Sequence, residues 1–409
     1  MKKHSNIGVI GLGGRGDYLV LQNAMPRDNV TISAVCDILE DRVASYADQV
    51  EKETGKRPVT TTDWKEVLEV PNLDAIIITT GWVPHVEIAI AAMKKGIPVG
   101  MEIGGFFSVD QAWQLVHTYE ETGTFFMLLE NCCFGRIELM ALNMVKKGLL
   151  GKIVHATAGY CHDLRRQLAF GRENKHYRLD NYLCRNTDNY PMHALGPVAK
   201  CIDINRGNRM LALTAMASGA YGMNEYCAKE RGAGDALARA RFNQGDVIHT
   251  TIRCANGETI TMTLATTTPR NYSRLFSVWG TKGMVNEENK SVFLDERDHC
   301  ENFTTGNLEE SYKEFDHPIW KKFTTEGVKG GHGGMDWLMF DAFFYCLEND
   351  LPAPIDVYDA AAWLALTPLI EDSIAMGGAP VAIPDFTNGK WMNREPAVAH
   401  PHSLDLIVE

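Results

Sequence analysis

A short apolar run, residues 6–10, stops at three glycines spaced G-x-G-x-x-G: Gly11, Gly13 and Gly16 in GLGGRG. Few folds have a use for that arrangement. Gly11 suits a tight turn out of a strand. Gly13 lets backbone approach a pyrophosphate, and Gly16 lets the next helix sit close to the strand. The free N–H groups and dipole at the start of that helix favour an anion. Alone the pattern is weak, and a plain tight turn explains it equally well. Its context narrows the choice. A second apolar run, TISAVC at 31–36, ends at Asp37, near the spacing of a ribose-binding acid. A carboxylate there accepts hydrogen bonds from the adenine ribose and repels a 2′-phosphate, so NAD is expected rather than NADP. A surface-loop aspartate is the other reading.

Further runs at 74–80 (DAIIITT) and 96–102 (GIPVGME) alternate with helical patterns such as PHVEIAIAAMKKG at 84–96. Alternation at this spacing predicts an α/β domain with a doubly wound parallel sheet, placed at residues 1–130. The chain has 409 residues, too many for one ordinary core. The pattern changes after 130. KIVHATAGYCHD at 152–163 alternates, as do RFNQGDVIHTTIRCANG, ETITMTLATTT, RLFSVWGTKG and MVNEENKSVFLDE from 241 onward. Turn pairs NG and KG separate them. Residues 131–409 therefore read as an α+β domain with an open, mainly antiparallel sheet. Helices return at 335–349 and 358–376, and the tail is expected to pack back on the body.

Composition excludes some partners. A formal charge of −12 argues against nucleic acid or an anionic membrane. No apolar window is long enough for a membrane span, and no leader-like segment precedes the glycines, so no signal peptide is expected. Ten cysteines without C-x-x-C pairs fit reduced thiols in a cytoplasmic enzyme.

The domain order resembles the Gfo/Idh/MocA oxidoreductases, over nearly the whole chain. TTGWVPH at 79–85 looks like that family's loop after the fourth strand, with His85 at its histidine position. Where the family often carries Glu-Lys-Pro at the sixth-strand end, this chain reads Glu102-Ile103-Gly104, without the lysine that assists hydride transfer. Longer blocks are similar to the NAD-dependent glycosidases of glycoside hydrolase family 109, which include α-N-acetylgalactosaminidases. These are ENCCFGR (130–136), GYCHDLR (159–165), NYPMHALGPVAKCIDINRGNR (189–209) and GHGGMDWLM (331–339). The chain departs from that branch at Ile103-Gly104 and at Met192-His193-Ala194.

The resemblance implies a tightly bound, recycled NAD and a glycoside substrate. Cleavage would proceed by C3 oxidation, C2 deprotonation, elimination, water addition and re-reduction. Tyr160 resembles the tyrosine that removes the C2 proton. His193 is the candidate for the C3 hydroxyl proton, because histidine trades protons near neutral pH. Tyr190, three residues earlier, is expected on the same helical turn. Glu130 is the candidate for assisting the leaving group or water. Arg15, Trp82, His85, Glu102 and Asn131 match NAD-contacting positions. Tyr177 and Arg178 lie in a segment that reaches cofactor or sugar, and Tyr272 matches a substrate-contacting tyrosine. His332 and Asp336 have a spacing that can hold a sugar hydroxyl or a metal. Two ligands do not make a metal site, so no metal is expected. Each residue has a plainer reading: Tyr160 as core, His193 as a helix-start residue, Glu130 as a turn cap, His332 as a cap of the next helix. Two rival functions remain open, a sugar 3-dehydrogenase and a non-catalytic sugar or NAD sensor. The open sheet implies a homo-oligomer.

Overall fold

The computed structural model describes residues 4–299, 305–394 and 398–408. Six short strands, β1 (Ser5–Ile10), β2 (Val30–Cys36), β3 (Val59–Thr61), β4 (Ala75–Ile78), β5 (Val99–Glu102) and β6 (Phe126–Leu129), form a parallel sheet in the order β3-β2-β1-β4-β5-β6. Chain order reverses between β1 and β4, which is where such sheets open a crevice. Every residue of β4, β5 and β6 is buried, because helices cover both faces. Strands β3 and β6 are absent from the sequence reading. Glu102 closes the fifth strand in chain order, which corrects its expected place on the sixth.

The helix Gly14–Asn23 starts inside the glycine run, with no side chain capping it. Its first N–H groups are therefore free of intrahelical partners. Gly11 takes φ +99, and a Cβ there would lie 2.3 Å from the Thr80 nitrogen. A Cβ on Gly16 would lie 2.1 Å from the Gly11 carbonyl oxygen. Gly16→Ala is thus expected to cost about 1–3 kcal/mol of stability through overpacking. Urea unfolding measures this, and an equally stable variant would remove the close-packing role.

The second sheet has eight strands: β7 (Ile153–Cys161), β8 (Met210–Ala217), β9 (Val247–Cys254), β10 (Thr259–Ala265), β11 (Ser277–Gly280), β12 (Gly283–Asn286), β13 (Ser291–Leu294) and β14 (Val381–Ala382). Their order is β13-β12-β11-β7-β10-β9-β8-β14. Only β7 and β10 run parallel among these pairs. Strand β9 alternates buried and exposed residues, so one face is packed and the other open. Strands β8 and β14 are additions to the sequence reading. The helical pattern at 358–376 is two helices, Val357–Leu364 and Leu366–Ala375. Pro368 has no N–H to return to the Leu364 carbonyl, so the ladder breaks there.

The later part of the chain packs back on the first sheet. A Cβ on Gly100 of β5 would lie 2.9 Å from the Phe343 ring of helix Met335–Glu348. The Leu128 N–H donates to the Ile355 carbonyl at 3.1 Å. Among the described residues, no helix is long and apolar enough to cross a membrane.

Candidate active site

Two cavities meet at the carboxyl ends of the parallel strands. The first, about 900 Å³, is lined by Ile10, Asp37, Ile38, Trp64, Thr80 and Trp82 among others. Asp37 Oδ2 accepts the Leu12 N–H at 2.8 Å and Oδ1 the Leu39 N–H at 3.0 Å. The carboxylate thus fastens the glycine loop to the end of β2. Trp82 Nε1 is buried without a hydrogen-bond partner. A segment of the later chain crosses this groove. Arg42 Nη2 donates to the carbonyls of Asn174 (3.3 Å) and Lys175 (3.5 Å), and Lys175 Nζ meets Asp41 at 3.4 Å. An uncapped helix start, glycines where side chains would block approach, and an orphaned indole N–H fit a dinucleotide.

The second cavity, about 350 Å³, runs from Gly13 and Arg15 to Tyr160, Arg178, Tyr190 and His193. His193 opens the helix Met192–Cys201. Its Nδ1 lies 2.7 Å from Glu130 Oε1, which also accepts the Cys132 N–H at 2.8 Å. Glu130 is fully buried and lines neither cavity. It caps the turn Asn131–Phe134 and orients the His193 ring. Glu130 reaches the second cavity through His193, which lines it. Cys132 Sγ lies 3.2 Å from the same nitrogen. Glu130, Cys132 and His193 offer donor atoms within 4.8 Å of one another. Burial, and then Glu130, push the Cys132 thiol well above its ordinary value.

Tyr160 stands near the end of β7, opposite Leu264 of β10. Its ring lies 4.7 Å from Tyr190 and 5.4 Å from His193. Its Oη is 3.1 Å from Nδ1 of His162. Tyr190 precedes the helix rather than sharing its first turn, since Pro191 is the N-cap. The two rings still meet edge to face at 4.9 Å. Burial first, then Glu102, push the Tyr190 phenol well above its ordinary value, so it stays protonated.

Arg178 is buried with no carboxylate partner among the described residues, and its Nε is unbonded. Its guanidinium lies 4.8 Å from the Tyr190 ring and 5.6 Å from Trp82. Burial opposes its charge, and the tyrosines around it, Tyr177 and Tyr160 foremost, favour it. Tyr177 packs edge-on to Trp82 at 5.0 Å and lines both cavities. Arg15 Nε donates to Glu102 at 2.7 Å, and its Nη atoms grip Asp336 at 3.1 and 3.0 Å. Asp336 also accepts Asn131 Nδ2 at 2.8 Å and contacts His332 Nδ1 at 2.7 Å. Burial pulls the Asp336 carboxyl up, but His332 and Arg15 hold it well below the usual range.

Three of the expected site residues stand back from the lining of the two cavities. Asp336 spends both oxygens on Arg15, Asn131 and His332 and lines neither cavity, whereas His332 lines the second. His85 is buried behind the groove, with Nε2 on the Thr80 carbonyl at 3.0 Å, and burial pushes it down to about 4. Tyr272 sits at the rim, 48% exposed, edge-on to His162 at 5.3 Å. Both lie outside the lining of the two cavities.

Comparison with known proteins gives two family matches. Residues 5–129 match the oxidoreductase family with an NAD-binding Rossmann fold, and residues 134–393 match the C-terminal domain of glycosyl hydrolase 109. An α-N-acetylgalactosaminidase of Tannerella forsythia is 36% identical over 96% of this chain and 88% of its own length. A glycosyl hydrolase family 109 protein of Stenotrophomonas maltophilia is 38% identical over 96% and 91%. Among solved structures, levoglucosan dehydrogenase in complex with NADH and levoglucosan superposes with TM-score 0.67 at 18% identity, covering 93% of this chain and all of that one. That likeness is one of fold.

Proposed function

This chain belongs to glycosyl hydrolase family 109, carried on an NAD-binding oxidoreductase fold, and from that premise we propose that it cleaves α-N-acetylgalactosaminides by a closed redox cycle. The observation that carries the reading is the cavity chemistry. Asp37 and Glu102, the carboxylates lining the second cavity, are already bonded to backbone N–H groups and Arg15. They are poorly placed to serve as the acid–base pair of an ordinary glycosidase. Tyr160, His193 and Arg178 converge instead beside the dinucleotide groove.

The chemistry NAD supplies when bound is reversible hydride acceptance from sugar C3, which acidifies the hydrogen at C2. His193, oriented through Nδ1 by Glu130, turns its other nitrogen to the C3 hydroxyl and takes and returns that proton. Tyr160 removes the C2 proton. Tyr190, held protonated, donates to the departing C1 oxygen. The glycine loop, Arg15, Trp82, Glu102, Asn131 and Tyr177 hold the cofactor, with His85 supporting the loop at Thr80. His332 and Tyr272 contact the substrate from the rim. The Arg42–Lys175 strap supports a cofactor that stays bound and is recycled.

The test is an aryl α-N-acetylgalactosaminide incubated with NAD-loaded protein in deuterated water. Expected are aglycone release, deuterium at C2 of the freed sugar and no build-up of NADH. One NADH per sugar would identify a 3-dehydrogenase, and binding without turnover a sensor. Release without C2 label refutes the elimination route. The unpaired cysteines among the described residues support a cytoplasmic setting. The open face of the second sheet, with Met216 and Trp279 exposed, supports a homo-oligomer. A monomer in light scattering would end that part.

A further inference from the structure

The hydroxyl of Tyr160 has one described hydrogen-bond partner, His162 Nδ1 at 3.1 Å. His162 follows Tyr160 by two residues, and its own N–H is tied to the Ala265 carbonyl at 3.0 Å. The ring is wedged edge-on between Tyr160 (5.8 Å) and Tyr272 (5.3 Å). It lines the inner cavity and also a separate outer groove of about 590 Å³. Leu164, Gln167 and Asn174 line both as well, and the outer groove reaches the exposed Arg166 and Glu173. His162 is therefore the titratable group that touches both Tyr160 and a route to the surface.

Resting on the reading that Tyr160 takes the C2 proton, we propose that His162 accepts the phenol proton of Tyr160 and carries it to the outer groove. The step balances as follows. The C2–H bond breaks and its proton goes to Tyr160 Oη. The phenol O–H bond breaks and that proton goes to His162 Nδ1. The electron pair left on C2 forms the C1=C2 bond as the C1–O bond breaks. His162, now an imidazolium, releases its Nε2 proton to water at the groove. Reversal of the relay reprotonates C2 after water adds. Burial first, and then Arg178, lower the His162 pKa, which keeps the ring neutral and ready to accept. A tyrosine acting alone would keep the abstracted proton and hand the same one back.

NAD-loaded full-length enzyme, given an aryl glycoside deuterated at C2 in ordinary water, separates these cases. The parent is expected to lose the label during turnover. His162→Asn keeps an acceptor near the Nδ1 position but cannot ionise, and His162→Phe keeps the bulk alone. Both are expected to retain the label in the product and to cleave about 10-fold more slowly, less than loss of a primary acid–base group. Label retention per turnover reads the relay independently of rate and of partial misfolding. A parent that exchanges, beside variants that exchange equally, overturns the role of His162 alone. A parent that cleaves without a C2 isotope effect and without label loss overturns the Tyr160 reading and this proposal with it.

Discussion

Alanine in place of His193 is expected to lower kcat/KM by about 10²–10⁴-fold, the range for loss of a positioned acid–base group. It should also remove the transient nicotinamide absorbance change that the proposed cycle predicts on mixing with substrate. Phenylalanine in place of Tyr160 is expected to cost a similar factor at a different step. That variant still lets the C3 hydroxyl proton leave, so the absorbance change on mixing should persist while C2 exchange and aglycone release fail. The two variants thus divide the cycle at the point where the keto sugar forms. Glu130→Gln should fall between parent and His193→Ala. It keeps a side chain of the same size beside Nδ1, but a neutral amide holds an imidazolium poorly and can select the wrong tautomer. Stopped-flow absorbance with C2-labelled substrate measures all three. If His193→Ala still shows the absorbance change at the parent rate, His193 does not handle the C3 proton.

How much of this site a sequence can show depends on how local each contact is. The β1–glycine–helix unit and Asp37 are legible because the strand, the tight turn and the acid after the next strand lie within one βαβ unit. The four-residue spacing of His332 and Asp336 is read as able to hold a sugar hydroxyl or a metal, and in the fold the two side chains touch each other at 2.7 Å. The role of Asp336 is not legible, because its other partner, Arg15, lies at the far end of the chain and is brought in only by packing of helix Met335–Glu348 on the first sheet. His162 is within reach of the sequence, since it follows Tyr160 by two residues at the end of an alternating segment and such residues share a face. The Arg42 strap had no such signal, since Asn174 and Lys175 sit in an irregular segment.

The helix that presents His193 is anchored at its other end, and that anchor should be the most sensitive point for stability. Lys200, in its last turn, donates to Asp359 Oδ2 at 2.8 Å and approaches Asp405 at 3.4 Å. Arg206 reaches Asp405 at 2.6 Å, Asp359 at 2.7 and 2.9 Å, and Asp356 at 3.3 Å. Arg394 pairs with Asp356. Among the described residues three cations face three carboxylates here, and Lys200, Arg206, Asp359 and Asp405 are almost wholly buried. Removing one member of such a network strands charge in a poorly solvated place. Asp359→Asn keeps the shape yet leaves the cations in excess, so a loss of about 3–5 kcal/mol is expected. Burial pulls the Asp359 carboxyl up, but Arg206 and Lys200 hold it well below the usual range. A depressed folded pKa means that its contribution is present at pH values above the unfolded carboxylate range and lost as pH falls towards the folded value. The parent should therefore lose this stability on acidification, while the variant lacks it at neutral pH and shows a flatter acid profile. Urea midpoints measured from neutral to acid pH read both effects. A neutral-pH loss below about 1 kcal/mol would mean that water reaches the network and screens it as it does a surface pair. The C-terminal segment would then not be what fixes the helix under His193.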